Sequence, residues 1–323
     1  MIAEIPRTVI QQLLRTPIRG GIAMVWNFEN SDATEFERTE KTIASVSDFV
    51  DCVQSKWEQW RKRAFWKQPP EMLPWFRGVE RESYKLIPSI YRGEEDIGWE
   101  YNENEAVDMR AEFARRAKPF ITRSIPYGSG EYLHLMQHYR FPTRLLDWTE
   151  GALIALYFAI RIPGKDNNPC VWMLNPSWLN YRNDVTTHNQ ATGEDKSLIL
   201  YTDCDAIEEF SADKVIRDNY LDEHNLARLP VAVFPPHIDP RIVAQKSVFT
   251  IHGSEKDGFG LLLDQHTVET QICKLRITSD AEEIKNVTEA LNMLGMTETT
   301  IFPDLEGLSR EIQAEYKMPL KGF

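Results

Sequence analysis

The segment from Gly151 to Ile160, GALIALYFAI, contains no charged side chain and constrains the fold more than any other stretch. A helix is predicted over 150–161, with Thr149 as its N-cap and apolar residues on every side. Because no side of such a helix suits water, other elements must surround it. The chain is 42% hydrophobic and 11% aromatic, which suffices for that cover and is too much for a disordered protein. These features predict a globular protein with a buried central helix.

Helical spacing of apolar residues predicts further helices on both sides of this segment. They cover residues 45–62, 103–120, 130–138, a stretch opened by Ser279, and about 304–316. Ser47 is the expected N-cap of the first helix. Ser279 and Glu282 have the spacing of a capping box.

Short runs rich in Val, Phe and Ile predict strands. They are WFRG at 75–78, CVWML at 170–174, VAVFPP at 231–236, SVFTIHG at 247–253 and CKLRIT at 273–278. Helices are concentrated early in the chain and strands late, so the pattern predicts an α+β fold.

The length of 323 residues fits one large domain or two closely packed ones. Residues 1–44 have no clear period and are predicted to form an N-terminal arm, and residues 45–323 the domain itself. Residues 176–228 are polar and weakly periodic, which is typical of an insertion or a mobile lid.

The net charge of −12 argues against indiscriminate binding of nucleic acid, because the field of the whole molecule repels phosphate. Charge is unevenly distributed, however. Residues 56–146 contain 16 Lys and Arg against 13 Asp and Glu, whereas residues 251–323 contain 7 against 13. The middle of the chain therefore favours an anionic ligand, and a small phosphorylated one over a long polyanion.

Several classes of protein lack their usual signatures. The four cysteines are far apart without a CxxC pair, and His and carboxylate pairs at metal spacing are absent, so reduced thiols and no metal are expected. The motifs GxGxxG, GxxxxGK[ST], GxSxG and HExxH are missing as well. No apolar run of 18 residues and no signal-peptide pattern occurs, which predicts a cytoplasmic protein without a membrane segment.

Two arginines follow aromatic residues and precede glycines. Arg77, in PWFRGVE, lies at a predicted strand end, where its planar fork could hold a pyrophosphate while Gly78 lets the backbone approach closely. The alternative is a structural arginine paired with Glu80 or Glu82. Arg92, in SIYRG, repeats the arrangement fifteen residues later, which favours an anion clamp.

A polar stretch, QHYRFPTRLLDWT, precedes the apolar helix. His138 could act as a general base or bind a ribose hydroxyl, or be a satisfied core histidine. Tyr139 and Trp148 could stack on a planar ring or belong to the core. Asp147 could pair with Arg144, cap the following helix or serve as a base. Together these residues predict a site in this stretch.

A second polar group, Arg241, Gln245 and Ser247, lies beside a predicted strand in RIVAQKSVFTIHG. Gln245 has no proton to exchange, so it would position a sugar hydroxyl or a carbonyl. Ser247 is more simply an exposed strand position.

The chain resembles the FRG-domain family, named after the tripeptide formed here by Phe76, Arg77 and Gly78. Similar blocks follow in order: IPSIYR, LMQHYRFPTRLLDWT before an apolar helix, RIVAQKSVFTIHG and IFPDLEGLSREI. The resemblance spans about residues 75–312. One departure is Arg140, where the family pattern usually has Gly.

The FRG tripeptide in turn resembles the aromatic, Arg, Gly signature of the first strand of ADP-ribosyltransferases. That resemblance implies a mixed, mostly antiparallel β core flanked by helices, NAD as substrate, and an intracellular toxin or anti-phage effector. The implied catalytic residues are Arg77, His138 and Asp147. The implied NAD-binding residues are Arg77, Arg92, Gln137, Tyr139, Thr143, Arg144, Trp148 and Gln245. The late-strand Glu of such transferases has no clear counterpart here.

The implied acceptor is single-stranded RNA or a protein, RNA being favoured by the basic, aromatic-rich middle segment, and an antitoxin or regulatory protein is a possible partner. Two other functions remain open. One is a binding module that reads a nucleotide or RNA through Arg77, Arg92 and Arg144 without chemistry. The other is a nuclease or NAD hydrolase that uses His138 and Asp147.

Overall fold

The structure of the chain is a computed structural model. It describes residues 42–62, 72–93, 103–121, 125, 129–162, 164, 168–183, 186–189, 194–197, 200–201, 229–237, 239–264 and 270–316. Nearly all of the predicted N-terminal arm lies outside these residues. Within them, no helix is long and apolar enough to cross a membrane.

The described helices are α1 (Val46–Lys62), α2 (Glu103–Ala117), α3 (Gly130–His138), α4 (Ala152–Ile160), α5 (Pro176–Arg182), α6 (Pro240–Ala244), α7 (Gly258–Asp264), α8 (Ala281–Met293), α9 (Glu298–Ile301) and α10 (Leu305–Glu315). The strands are β1 (Trp75–Val79), β2 (Leu145–Thr149), β3 (Cys170–Leu174), β4 (Thr186–Asn189), β5 (Glu194–Ser197), β6 (Leu200–Tyr201), β7 (Val231–Phe234), β8 (Ser247–Ile251) and β9 (Ile272–Arg276). Single 3-10 turns lie at Ser89–Tyr91 and Lys118–Phe120. The predicted α+β class is confirmed.

Seven strands form one sheet in the order β6-β7-β8-β2-β1-β3-β9. All neighbouring strands are antiparallel except β6 and β7, which are parallel. Strands β4 and β5 form a separate antiparallel pair. The predicted mostly antiparallel β core is therefore present.

The sheet is nearly divided between β1 and β2. These strands share one register pair, Phe76 with Thr149, whereas β1 pairs with β3, and β2 with β8, over five residues each. The group β6-β7-β8-β2 and the group β1-β3-β9 thus meet at a single point and separate on either side of it. The candidate site lies beside this point.

Helix α4 packs directly on β1. Ala155 and Leu156 are fully buried, which confirms the predicted burial of this helix. A Cβ added to Gly78 would lie 1.8 Å from the carbonyl oxygen of Ala155. Gly78 therefore allows the close approach of a helix, a packing role that the sequence did not predict.

The polar stretch before α4 is not a loop throughout, because its last five residues form β2. Thr149 ends that strand and does not cap the helix, which begins at Ala152 with Gly151 as its N-cap. The Thr149 hydroxyl accepts a hydrogen bond from the Gly151 amide at 2.9 Å. The aliphatic, tryptophan and threonine residues of LLDWT suit a strand, and a tertiary pairing with β8 stabilises it.

Two other predicted caps are displaced by one or two residues. Ser45, and not Ser47, accepts the amide hydrogen bond of Asp48 at the start of α1. Asp280, and not Ser279, accepts from the amides of Glu282 and Glu283 at the start of α8.

The predicted insertion begins later than expected. The first residues of the predicted insertion form helix α5, which contributes Trp178 and Leu179 to the core. The Asn180 side chain forms hydrogen bonds with both the amide and the carbonyl of Ala232 in β7, at 2.7 and 3.0 Å. Residues 176–183 are consequently part of the domain core. Residues 202–228 of the predicted insertion lie outside the described residues.

The faces of the sheet have separate cores because successive side chains of a strand point to opposite faces. Trp75 and Trp148 pack with Trp172 and Phe259 on one face. Phe76 packs with α4, α1 and α8 on the other face. Of the cysteines, Cys52, Cys170 and Cys273 are free thiols, and Cys204 lies outside the described residues.

Candidate functional site

A cleft of about 420 Å³ opens beside the point where β1 and β2 meet. Its walls come from β1, the end of α3, β2, α6, β8 and the residues that follow α9. This volume lies in the range of about 300–1,000 Å³ that is typical of small-ligand sites. Six of the sequence-predicted site residues line it: Arg77, Gln137, His138, Asp147, Trp148 and Gln245.

Arg77 crosses the gap between β1 and β2. Its NH1 donates to the carbonyl oxygen of Asp147 at 2.7 Å and lies 3.9 Å from the Asp147 carboxylate. Its Nε is buried and has no hydrogen-bond partner among the described residues. Burial and the neighbouring Arg92 lower the pKa of Arg77, whereas Asp147 raises it. The arginine is thus held at the edge of the cleft by Asp147.

The alternative ion pairs of Arg77 with Glu80 or Glu82 do not form. The carboxylate of Glu82 is bound instead by Arg276, whose Nε donates at 2.9 Å. Lys274 donates to the Glu82 carbonyl at 2.7 Å. Within the described part of the chain, Asp147 is the only carboxylate in a salt bridge with Arg77.

Asp147 is held in place by a relay of hydrogen bonds. Gln137 Nε2 donates to both carboxylate oxygens, at 3.0 and 3.2 Å. The amide oxygen of Gln137 accepts from the Thr143 hydroxyl at 2.5 Å. The Asp147 side chain is 57% exposed, so it remains accessible from the cleft. The predicted pairing with Arg144 and the predicted helix cap are both wrong, because β2 points Asp147 toward α3.

His138 ends α3 at the rim of the cleft. Its Nε2 lies 3.6 Å from the Asp239 carboxylate, which also caps α6 through the Arg241 amide. The neighbouring Tyr139 ring stands edge-on to the imidazole, with ring centroids 4.9 Å apart. Tyr139 is exposed and lines two adjacent grooves and not the cleft itself.

Trp148 borders the cleft, but its ring belongs to the core. It alternates with Asp147 along β2 and so points to the opposite face of the sheet. The indole Nε1 donates to the Thr250 hydroxyl at 3.1 Å, and the ring packs against Phe259. The core alternative applies to Trp148, because a satisfied, buried indole has no free face for a ligand.

Three other predicted residues lie away from the cleft. Thr143 is buried, and its hydroxyl donates to the Gln137 side chain and accepts from the Leu145 amide. Arg144 is 3% exposed and lies over the Tyr91 ring at 5.6 Å. Two of its guanidinium nitrogens have no partner among the described residues. Arg92 donates through Nε to the Ile87 carbonyl at 3.2 Å. Thr143, Arg144 and Arg92 therefore lie behind Arg77 and Asp147 and not in the cleft.

Gln245 links the cleft to the end of the domain. Its side-chain Nε2 donates to the Ile301 backbone carbonyl at 3.2 Å, and its backbone carbonyl accepts from the Thr149 hydroxyl at 2.7 Å. Ser247 is half-buried at the start of β8 and also lines the cleft. Gln245 thus holds the cleft wall together as well as facing it.

Sequence reasoning identified Arg241 but missed the aromatic ring of Phe302 and the other cations around it. Phe302 lines the cleft, and its ring lies beneath three guanidinium groups: Arg161 at 4.6 Å, Arg310 at 5.0 Å and Arg241 at 5.7 Å. Arg241 also lines the cleft and is neutralised by Asp304 at 2.6 Å. Phe302 lies in the block IFPDLEGLSREI, to which the sequence draws attention only through the family resemblance.

Arg140, the residue that departs from the family pattern, has a left-handed backbone with φ of 59°. Glycine adopts that conformation without steric cost, which explains a Gly at this position in the family. The Arg140 side chain lines the cleft. The departure adds a cation to the cleft at the expense of backbone strain.

His134 was not singled out from the sequence, yet it lines the cleft one turn before Gln137 and His138. It is 2% exposed, and neither ring nitrogen has a hydrogen-bond partner among the described residues. Burial lowers its pKa to about 3. No sequence signal distinguishes this histidine from an ordinary core residue.

The described residues contain no group of three or more His, Cys, Asp or Glu that could hold a metal ion. Three arginines and one aspartate line the cleft: Arg77, Arg140, Arg241 and Asp147. The arrangement can attract an anion to Arg77 and present a fixed carboxylate beside it.

These features define an α+β protein with a nearly divided sheet and a polar cleft of small-ligand size at the division. Within that class, the chain carries an FRG domain, because the sequence model of this domain matches residues 73–168. The match confirms the family resemblance over these residues, which include β1, α3, β2 and α4. The blocks RIVAQKSVFTIHG and IFPDLEGLSREI lie outside it. A search of curated proteins and a search of solved structures each found no match.

Proposed function

We propose that the chain is an NAD-dependent ADP-ribosyltransferase whose substrate binds in the cleft between Arg77 and Asp147. One observation carries this proposal: the Arg77 guanidinium and an accessible Asp147 carboxylate line one cleft, with NH1 and the carboxylate oxygen 3.9 Å apart. Transfer of ADP-ribose needs both groups, an anion clamp for the pyrophosphate and a negative charge for the reacting sugar.

Arg77 supplies the anion clamp. Burial and the neighbouring Arg92 lower the pKa of Arg77, because the charged guanidinium has lost solvent. A bound phosphate would stabilise the charged form in place of that solvent. The planar guanidinium can bind phosphate oxygens through two parallel N–H groups. A point charge such as lysine could not reproduce that geometry.

Asp147 supplies the negative charge. Cleavage of the bond between nicotinamide and ribose leaves a positively charged, oxocarbenium-like sugar, which a fixed carboxylate stabilises. The two hydrogen bonds from Gln137 hold the carboxylate in place, so little reorganisation is needed when charge develops. Asp147 takes the role for which no late-strand Glu was found.

His138 is the candidate general base for the acceptor. It lies at the rim, where the cleft meets two adjacent grooves, and its Nε2 is oriented by Asp239 at 3.6 Å. Histidine is the side chain that most often serves as a general base, and here it lies within reach of a nucleophile entering at the rim. Gln245 would position a ribose hydroxyl on the opposite wall.

The biological role proposed with this activity is that of an intracellular toxin or anti-phage effector, with RNA or a protein as acceptor. It rests on the family resemblance together with the cleft chemistry. An antitoxin or regulatory protein would be its partner.

A non-catalytic nucleotide-binding module is the second candidate. The observation that favours it is the single carboxylate among the described residues that line the cleft. Asp147 is engaged by Gln137 and lies near Arg77, as a purely structural residue would be. An NAD hydrolase would use the same residues without an acceptor.

The test is incubation of the protein with cell extract and NAD labelled in its adenylate part. We expect label on macromolecules and release of nicotinamide with the wild type. Arg77→Ala and Asp147→Asn should each abolish labelling. Arg115→Ala is the matched control, because Arg115 is an exposed arginine on α2 that pairs with Glu112, and it should label normally.

Arg77→Ala should leave the melting temperature nearly unchanged. The variant loses one hydrogen bond but also removes a buried guanidinium that lies near Arg92. A large drop in melting temperature would instead assign Arg77 a structural role. Unchanged NAD would favour the binding module, and free nicotinamide without labelled product would favour the hydrolase.

A further inference from the structure

His134 is a buried polar residue that lines the cleft without any partner of its own. Both ring nitrogens are shielded and make no hydrogen bond to the described residues, although one is a donor and the other an acceptor in a neutral imidazole. An unpaired buried donor or acceptor is costly and rare. Because His134 lines the cleft, a ligand bound there could complete these hydrogen bonds.

The position of His134 is next to Asp147. Its ring contacts Phe249 edge-on, with ring centroids 4.6 Å apart. Phe249 in β8 is the register partner of Asp147 in β2. Gln137, which holds Asp147, lies one turn further along the same helix. A ligand group at His134 is therefore adjacent to the carboxylate and not to the far end of the cleft.

The chemistry of the imidazole selects the kind of ligand group. Its surroundings are apolar, and burial keeps the ring neutral. A phosphate or carboxylate offers acceptors only, whereas a carboxamide offers both donor and acceptor without charge. Sugar hydroxyls also offer a donor and an acceptor, but on the proposed function Asp147 lies at the carbon that carries nicotinamide. The carboxamide is therefore the group of the dinucleotide that reaches His134, next to Asp147.

We propose that His134 is a specificity-determining residue that binds the carboxamide of nicotinamide. It distinguishes the intact dinucleotide from ADP-ribose, which has the same phosphates and sugars but lacks the carboxamide.

The experiment compares the binding of NAD and of ADP-ribose by calorimetry in wild type and His134→Phe. Phenylalanine keeps a ring against Phe249 and removes both nitrogens. We expect NAD to bind about tenfold more weakly, as the loss of a buried hydrogen bond implies, and ADP-ribose to bind within about twofold of wild type. His134→Gln, which keeps an uncharged donor and acceptor, should restore most of the NAD affinity.

Thermal unfolding of the same variants separates binding from folding. His134→Phe removes two unpaired polar atoms from the interior, so it should unfold at the same or a higher temperature while it binds NAD more weakly. A purely structural histidine would not change the two quantities in opposite directions.

Equal affinity of wild type and His134→Phe for NAD would overturn the role of His134 and leave the proposed function standing. An equal loss for NAD and ADP-ribose would place a shared sugar or phosphate group at His134 and also overturn it. Failure of the wild type to bind NAD would overturn the proposed function and this inference together.

Discussion

At the scale of single residues, backbone conformation at the end of α3 has a measurable cost. Arg140 has a φ of 59°, where the Cβ of an L-residue is crowded by the backbone. The residue nevertheless brings α3 to a stop and turns the chain toward β2. Only glycine adopts this conformation without strain.

Arg140→Gly should therefore be more stable than Arg140→Ala by about 1 kcal/mol. Both variants lose the arginine side chain, so their difference isolates the cost of the Cβ at this φ. The free energy of unfolding in urea measures it. Equal stabilities would mean that the turn relaxes around an alanine.

At the scale of elements, the contact between β1 and α4 determines where the cleft lies. Gly78 has no side chain, so the helix backbone reaches the strand directly. That approach places α4 behind β1 and Arg77 beside the gap with β2. The glycine of the FRG tripeptide thus acts on packing, and the arginine acts on the site.

Gly78→Ala should lower the free energy of unfolding by about 2 kcal/mol or more, because its Cβ would overlap the Ala155 carbonyl and force α4 away. Chemical denaturation measures the loss. Gly93→Ala is the matched control, since a Cβ there meets no atom within 4 Å. The control should stay within about 0.5 kcal/mol of wild type; an equal effect of both substitutions would contradict the packing account.

At the scale of the whole molecule, two buried histidines link stability to pH. Burial lowers the pKa of His134 and of His252 to about 3, and the cations Arg144 and Arg77 add to the effect at His252. Both are neutral when folded, whereas an unfolded histidine titrates near pH 6.5. Protons therefore bind preferentially to the unfolded chain below that pH.

The free energy of unfolding should be constant above about pH 6.5 and fall as the pH decreases from there toward 3, by up to about 1.4 kcal/mol per pH unit for each histidine. Carboxylates with lowered pKa, such as Glu298 and Asp304, contribute with the same sign but below about pH 4.5. Urea unfolding between pH 5 and 7 isolates the histidines. His134→Phe should reduce the slope there by about half, and a flat profile in the wild type would contradict the assignment.

Local signals determined much of the fold. The apolar segment of α4, the helical periods of α1 to α3 and the β-rich runs of β1, β3, β7, β8 and β9 are properties of neighbouring residues, and they were predicted within a few positions. Leu145–Thr149 was not recognised as a strand, because its sequence also suits a loop and only pairing with β8 decides it. The α5 residues that pack in the core escaped prediction for the same reason.

Residue chemistry alone also pointed to Arg77, Gln137, His138, Asp147 and Gln245, since polar side chains beside an apolar element are unusual wherever they occur. Which of these share a cleft depended on tertiary structure. Strand alternation sends the Trp148 ring to the opposite face, and Arg144 points into the interior. Phe302 joins the site from a distant part of the chain, and His134 from the preceding turn of α3. A sequence specifies the groups available, but their distances depend on how β1, β2 and α3 pack, and that packing is a property of the whole molecule.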